Sequence, residues 1–354
     1  MNHEGSPLLV RKIFLKKTMT LIDSLQNGDR LALARLLTQV ENDSAAGRAG
    51  LAEIFPHTGR GHLIGITGAP GTGKSSLVNQ LALHYRKQGK RVAIIAVDPS
   101  SPFTGGAVLG DRVRMRDLAG DAGVFIRSMA ARGSLGGLAE TTAAFAQVFD
   151  AAGYEIVMIE TVGAGQNEVD IARLAHTTVV VEAPGLGDDI QAIKAGILEI
   201  ADVLVVNKAD RPGVENTEKA LKSMLELAHP MRHVFQHHGR ALTVESPLNE
   251  SAALWIPPIR RTVALEGKGV SELVESIAAH AAHLHFSGEW TVREQARLER
   301  ETEALLARAL MSHFRQGVAE AQVESVMGDV YKKNISPWEA VQDLMRIHSQ
   351  KEQA

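Results

Sequence analysis

Gly68-Ala69-Pro70-Gly71-Thr72-Gly73-Lys74-Ser75 satisfies the pattern G-x-x-x-x-G-K-[ST] in full, and its reading decides the fold. An apolar run, Leu63-Ile64-Gly65-Ile66-Thr67, enters it, and a helical pattern of Leu77, Leu81, Leu83 and Tyr85 leaves it. A strand before and a helix after separate a phosphate cradle from an ordinary glycine-rich turn. The glycines let the backbone wrap until its N–H groups point inward at a phosphate chain. Lys74 can then reach the outer phosphates and the Ser75 hydroxyl can ligate Mg²⁺. Gly68 to Ser76 are therefore read as a nucleotide-binding loop.

Outward from this loop, residues 61 to about 285 alternate short apolar runs with helical patterns. The expected strands are Leu63–Thr67, Val92–Asp98, Val124–Ser128, Ile156–Glu160, Thr178–Glu182, Val203–Asn207 and Arg261–Leu265. Continuous Val/Ile runs separated by helices indicate a mostly parallel sheet buried on both faces, with ligands at the carboxyl ends of the strands. The fold class is α/β: a P-loop nucleoside triphosphatase with a helical extension at each end.

Residues 19–44 read as helical, with Leu21, Ile22 and Leu25 in one half and Leu31, Leu33, Leu36, Leu37 and Val40 in the other. Asn27-Gly28-Asp29 divides the halves, and Asp29 suits an N-cap. The small residues from Ala45 to Gly50, then Pro56 and Gly59-Arg60-Gly61, read as a connector. From Trp290 onward Glu294, Arg297, Glu299, Arg300, Glu301 and Glu303 interleave with Leu298, Leu305, Leu306, Ala309, Leu310 and Phe314, the pattern of a long charged helix with a leucine seam. Two shorter helices follow, the last opened by Ser336-Pro337. A helical tail after a complete domain favours dimerisation. The expected units are residues 1–60, a nucleotide domain 61–287 and a C-terminal dimerisation region 288–354.

Composition removes several classes. The 354 residues contain no cysteine, which excludes disulfides, thiolate metal sites and cysteine nucleophiles. A net charge of −3 gives no basic field, so nucleic acid is not an expected partner. No apolar run approaches about 18 residues, so no span of a membrane is expected. The basic start (Arg11, Lys12, Lys16, Lys17) lacks the apolar core of a secretory signal, and Met19 offers a second translation start. The expected compartment is the cytoplasm.

Further signals fall at strand ends. Asn207-Lys208-Ala209-Asp210 closes the run Val203-Leu204-Val205-Val206. A carboxylate there accepts from guanine N1–H and the exocyclic amine, which adenine cannot satisfy. Glu160-Thr161-Val162-Gly163 closes another run, suiting a metal-side carboxylate and a glycine N–H at the γ-phosphate. Glu stands where most GTPases carry Asp. Asp98-Pro99-Ser100-Ser101, followed by Gly105-Gly106 and Gly110-Asp111-Arg112, adds two acids on a glycine-rich loop. Together Ser75, Asp98, Asp111 and Glu160 form an oxygen set appropriate to Mg²⁺. Ala183-Pro184-Gly185-Leu186-Gly187-Asp188-Asp189, with Gln191 and Lys194 beyond it, reads as a mobile loop bringing a lysine to the site. The residue after Gly163 is Ala164, and the nearest glutamine is Gln166, so intrinsic hydrolysis should be slow. Arg112, Arg114 and Arg116 suit either transition-state charge or a solvated helix face. His229, His233, His237 and His238, and likewise His280, His283 and His285, read as exposed histidines, with a metal site as the alternative.

Taken together, Gly65 to Ser75, Val97 to Ser101, Gly110 to Met115, Glu160 to Gln166, Pro184 to Asp188 and Asn207 to Asp210 resemble the MeaB/ArgK family over roughly residues 20–350. These are the GTPase chaperones of adenosylcobalamin-dependent acyl-CoA mutases, related to the metallochaperone GTPases of hydrogenase and urease maturation. The resemblance implies Mg²⁺-dependent, slow, mutase-stimulated hydrolysis of GTP to GDP and phosphate. It also implies control of adenosylcobalamin transfer from an adenosyltransferase and a homodimer built on the C-terminal helices. It puts Ser75, Asp98, Asp111 and Glu160 around the metal, makes 183–194 an additional switch carrying Lys194, and sets Val263, Ala264 and Leu265 at the guanine. Val263 departs from the family's serine. Methylmalonyl-, isobutyryl- and 2-hydroxyisobutyryl-CoA mutases remain open as clients. A P-loop kinase and a metal-insertion GTPase using His229, His233 or His237 are the rival readings.

Overall fold

A computed structural model describes residues 20–99, 115–118, 120–131, 137–161, 167–185, 199–228 and 254–352. Seven strands build one sheet: β1 (His62–Thr67), β2 (Val92–Pro99), β3 (Val124–Ala131), β4 (Ile156–Thr161), β5 (Thr177–Glu182), β6 (Val203–Asn207) and β7 (Ile259–Thr262). Their order is β3-β2-β4-β1-β5-β6-β7, and every neighbouring pair is parallel. β1 lies at the centre, so the loop after Thr67 emerges between the ends of β4 and β5. This is a topological switch point, where parallel α/β sheets bind ligands.

Period-two alternation sends the strand side chains into two cores. Ile64, Ile66 and Ile94 pack with Leu77, Val78 and Leu81 of α4 (Lys74–Lys87) and with Leu273 and Ile277 of α8 (Val270–Ser287). Leu63, Ala93 and Ile95 face the other way, against Phe145 and Phe149 of α5 (Gly137–Ala151), Ile171 of α6 (Asn167–Leu174) and the N-terminal helices. On the β6 side, Leu204 and Val206 pack against Val214 and Leu221 of α7 (Val214–Ala228).

The lead-in contains α1 (Leu21–Gln26), α2 (Arg30–Glu41) and α3 (Ala45–Ile54). Asp29 caps α2 as expected, accepting from the Leu31 and Ala32 N–H groups at 2.9 and 3.0 Å. The third helix corrects the connector reading of Ala45 to Gly50. Ser44 caps it through the Gly47 N–H, and a Cβ on Gly47 would stand 2.5 Å from the Gln39 carbonyl oxygen. Gly47 and Gly50 are there for close helix contact, Gly50 against Leu36, and packing overrides the low helix propensity of these two residues. The connector proper is pinned by Asp150, whose carboxylate accepts from the Gly59, Arg60 and Gly61 N–H groups.

Two other expectations change. β7 begins and ends earlier than Arg261–Leu265, because Val263 turns to bridge Lys268 and residues Ala264–Glu266 form a 3₁₀ turn. His280 is 1% exposed and hydrogen-bonded rather than solvated, and His283 is half-buried. His229, His233, His237 and His238 lie outside the described residues.

The tail forms α9 (Glu289–Gly317), α10 (Glu320–Tyr331) and α11 (Pro337–Glu352). Ser336 and Glu339 exchange side-chain and backbone bonds at the start of α11. α9 lies on the core through Arg293–Asp202, Gln147–Glu301 and Arg308–Glu140. On another side of the same helix Leu305, Leu306, Leu310 and Met311 are exposed, so this part of the leucine seam has no partner helix among the described residues.

Candidate nucleotide-binding site

A cavity of about 550 Å³ opens at the carboxyl ends of the central strands. Pro70, Gly71, Gly73, Lys74, Ser75 and Ser76 form one side; Glu160 and Thr161 lie at the end of β4. Asn207, Lys208, Asp210 and Arg211 follow β6, and Val263, Ala264, Leu265 and Glu266 close the far end. Segments separated by up to about 190 positions thus meet in one volume.

The loop after β1 is shaped by what its glycines avoid. Gly68 sits at φ +137°, and a Cβ there would stand 2.1 Å from the Val181 carbonyl oxygen of β5. Gly68, Ala69 and Thr72 back the loop rather than line the cavity: the Thr72 hydroxyl donates to Ala69 O at 2.9 Å. Lys74 is buried, and its Nζ donates to the Gly68 and Ala69 carbonyls at 2.7 and 3.1 Å. This curls the ammonium over the concavity where a phosphate chain would lie.

Ser75, in the first turn of α4, donates from Oγ to Glu160 Oε1 at 2.5 Å. Glu160 is 1% exposed. The longer Glu side chain at a position where Asp is usual therefore reaches the serine directly. β2 ends near this point with Asp98-Pro99, although nothing is described of the Asp98 side chain. Asp111, Gly163, Gln166, Gln191 and Lys194 lie outside the described residues, as do Arg112 and Arg114.

At the base end, Asn207 both lines the cavity and acts as a brace. Its Nδ2 donates to Thr72 O at 2.8 Å, and its Oδ1 accepts from the Thr262 hydroxyl at 3.0 Å and the Ala264 N–H at 3.1 Å. One amide thus ties together the P-loop, β6 and the turn after β7. Thr262, the one buried residue of β7, was not among the expected site residues. Asn207→Ala strands three buried polar groups, so a loss of about 3 kcal/mol in urea-unfolding stability is expected. An unchanged unfolding midpoint would show that the brace is not structural.

Lys208 adopts φ +56°, and its Nζ reaches back to Gly71 O at 2.5 Å, laying the stem along the cavity wall. Asp210 follows on the rim, exposed. Across from it the Glu266 carboxylate, and more distantly Asp210, hold the Lys268 ammonium above its ordinary pKa. Arg211 and Glu266 join the rim as residues that motif spacing did not single out.

Comparison with known proteins gives one consistent answer. Residues 33–319 match the family model described as "Methylmalonyl Co-A mutase-associated GTPase MeaB". A protein of Pyrococcus horikoshii named as a GTPase is 44% identical over 320 residues, covering 90% of this chain and 95% of that one. The mouse "Methylmalonic aciduria type A homolog, mitochondrial" is 29% identical over 345 residues, covering 92% and 78%. A solved structure titled "LAO/AO transport system kinase" superposes with a TM-score of 0.62 at 26% identity, covering 92% and 95%.

Proposed function

The chain belongs to the MeaB family of P-loop GTPases, and on that basis we propose that it is the Mg²⁺-dependent G-protein chaperone of an adenosylcobalamin-dependent acyl-CoA mutase, methylmalonyl-CoA mutase or a close relative. In this reading it gates cofactor loading and protects or reactivates the mutase, and a cobalamin adenosyltransferase is a further partner. The observation that carries the nucleotide part is the meeting, in one cavity, of the P-loop, the Ser75–Glu160 pair and the Asn207-Lys208-Ala209-Asp210 turn. The mutase part rests on the family and on the name of the mouse relative.

The residues suit GTP at both ends. Backbone N–H groups from Gly71 to Ser75 surround the phosphates, and Lys74 exchanges its loop carbonyls for phosphate oxygens. Asp210 accepts from the guanine edge while the Lys208 stem flanks the ring. Gly163, Val263, Ala264 and Leu265 complete the proposed contacts. Ser75 Oγ and the Glu160 carboxylate are hard oxygen donors within 2.5 Å of each other, which fits Mg²⁺, and Asp98 and Asp111 are proposed to complete its set. When bound, Mg²⁺ neutralises charge on the β- and γ-phosphate oxygens. Water attacks the γ-phosphorus, the bond to the β–γ bridging oxygen breaks, and GDP and phosphate leave. Lys74 stabilises charge on that oxygen, with Lys194 proposed to add to it. Ala164, in place of a glutamine beside Gly163, supports a slow intrinsic rate.

We also propose that residues 61–287 act as the GTPase unit, and that 288–354 pair two copies through the exposed Leu305, Leu306, Leu310 and Met311. No helix among the described residues is long and apolar enough to cross a membrane, and a cytoplasmic setting is proposed. The deciding experiment is GTP turnover with and without purified acyl-CoA mutases, using ATP as control. Stimulation by one mutase of at least about tenfold is expected. No stimulation by any of them, with ATP consumed as readily as GTP, would overturn the chaperone reading and favour phosphoryl transfer to an acceptor.

A further inference from the structure

The strands begin at the opposite end of the sheet from the nucleotide cavity, and there α8 and the first turns of α9 close over β1, β5 and β6. Histidines concentrate at this junction. Trp290 of α9 stacks with His176 at 3.9 Å and with His285 at 4.2 Å between ring centroids. His62, the first residue of β1, stands 6.1 Å from His176 and 5.7 Å from Trp290.

Two hydrogen-bonded chains run through this stack. In the first, the Leu63 N–H donates to His176 Nδ1 at 3.1 Å, and His176 Nε2 meets Glu294 of α9. A backbone N–H can only donate, so Nδ1 carries the lone pair and the single ring proton sits on Nε2, facing the carboxylate. The neutral ring satisfies both neighbours; a second proton would set N–H against N–H. In the second chain, His62 Nε2 bonds Thr177 Oγ1 at 2.8 Å, and Thr177 Oγ1 bonds His280 Nδ1 at 2.9 Å. His280 Nε2 lies 3.2 Å from Asp202, which Arg293 of α9 clasps at 2.9 and 3.0 Å.

The charges facing the cluster leave no room for another cation. From the turn before β6 there is Asp202; from α8, His280, His283 and His285; from α9, Glu289, Arg293, Glu294 and Arg297. Asp202 is committed to Arg293, and Glu294 to Arg297 and His176. Arg297 also faces Asp150 and Glu301. A proton on His62 or His176 would therefore meet imidazoles and guanidiniums, while Asp202 and Glu294, the carboxylates that favour it, are already engaged with Arg293 and Arg297.

We propose that this junction is an acid-released latch: proton uptake by His62 and His176 frees α9 from the sheet while the nucleotide cavity, at the other end of the strands, stays formed. Burial, reinforced by His176, His280 and His285, holds His62 down at about 3 against the pull of Asp202, and burial lowers His176 against the pull of Glu294. Both rings are neutral when docked and titrate near 6.5 when released. The docked state is thus fully favoured above pH 6.5 and weakens as pH falls from 6.5 toward 3, about tenfold per pH unit for His62 alone.

Hydrogen exchange on the full chain tests this. Corrected for the intrinsic pH dependence of amide exchange, protection of residues 289–300 should fall at least about tenfold between pH 7.5 and 5.5, while that of 74–87 holds. Equal protection at both pH values, or an equal loss in 74–87, overturns the latch. The double variant His62→Gln, His176→Gln keeps a donor and an acceptor at each site but takes no proton, so its α9 protection should not respond to acid; a persisting response overturns the assignment. If that variant does not fold, Trp338→Phe leaves Trp255 and Trp290, both at the cluster, as reporters. Their emission should change below pH 6.5 with the chain still folded, and emission constant down to pH 5 would overturn the proposal.

Discussion

Lys74→Ala is expected to lower GTP affinity about a thousandfold, ~4 kcal/mol, while leaving the fold standing. The ammonium is buried in the loop concavity and held at 2.7 Å by Gly68 O and 3.1 Å by Ala69 O. Those two carbonyls orient it, and phosphate oxygens are expected to replace them when nucleotide enters. Each charge-assisted bond to a phosphate contributes about 1.5–3 kcal/mol, and two of them set the scale of the loss. Alanine also removes a buried charge, so the effect on stability is smaller, about 1–2 kcal/mol. Titration of a fluorescent GTP analogue, with urea unfolding as control, separates the two effects. Affinity within tenfold of the unaltered chain would mean that the phosphates bind elsewhere.

The nucleotide loop was readable because its chemistry is local. Glycines at fixed spacing, one lysine and one serine describe a backbone shape that needs few distant partners, and α4 begins at Lys74, where the motif puts it. The buried strands were readable for a related reason: runs such as Val203–Asn207 have no solvent face, so their composition alone marks them. What escaped depends on contacts across the chain. Ala45 to Gly50 reads as a connector because Gly47 and Gly50 interrupt the pattern and no large apolar residue marks a face; the close contacts of Gly47 with the Gln39 carbonyl and of Gly50 with Leu36 show why glycine stands inside this helix. The end of β7 is set by Asn207 taking the Ala264 N–H, a partner 57 residues away. His280 looked like one more exposed histidine of α8, and its burial follows from Thr177 of β5 and from Asp202, just before β6. The brace role of Asn207 was hidden for the same reason: a motif names the residue types but not the distant partners that each one holds.

Asp210→Ala is expected to collapse the preference for GTP over ATP by about 100-fold or more while leaving stability within about 0.5 kcal/mol. The two halves of that expectation have separate physical sources. Asp210 is exposed, and its turn is held by neighbours: the Arg211 N–H donates to Lys208 O at 3.0 Å, and the Ala209 N–H to Thr262 O at 3.0 Å. Those backbone bonds survive the substitution, so the fold should not register it. The guanine edge does register it, because N1–H and the exocyclic amine lose their acceptor and would bind with two unpaired donors. ATP never used that carboxylate, so its affinity should stay as it was, and the change should appear in GTP binding alone. Competition between GTP and ATP on the intact chain, before and after the substitution, measures this directly. If GTP and ATP were to bind the variant in the original ratio, the carboxylate would not be reading the base. The Asn207-Lys208-Ala209-Asp210 turn would then act only as a strap across the P-loop, through Asn207 on Thr72 O and Lys208 on Gly71 O. Specificity would have to come from the Val263–Leu265 turn, where the Val263 and Ala264 N–H groups are bonded to Lys268 O and Asn207 Oδ1. With those two donors engaged inside the protein, that turn is poorly equipped to tell guanine from adenine, which is why the discrimination is expected at Asp210.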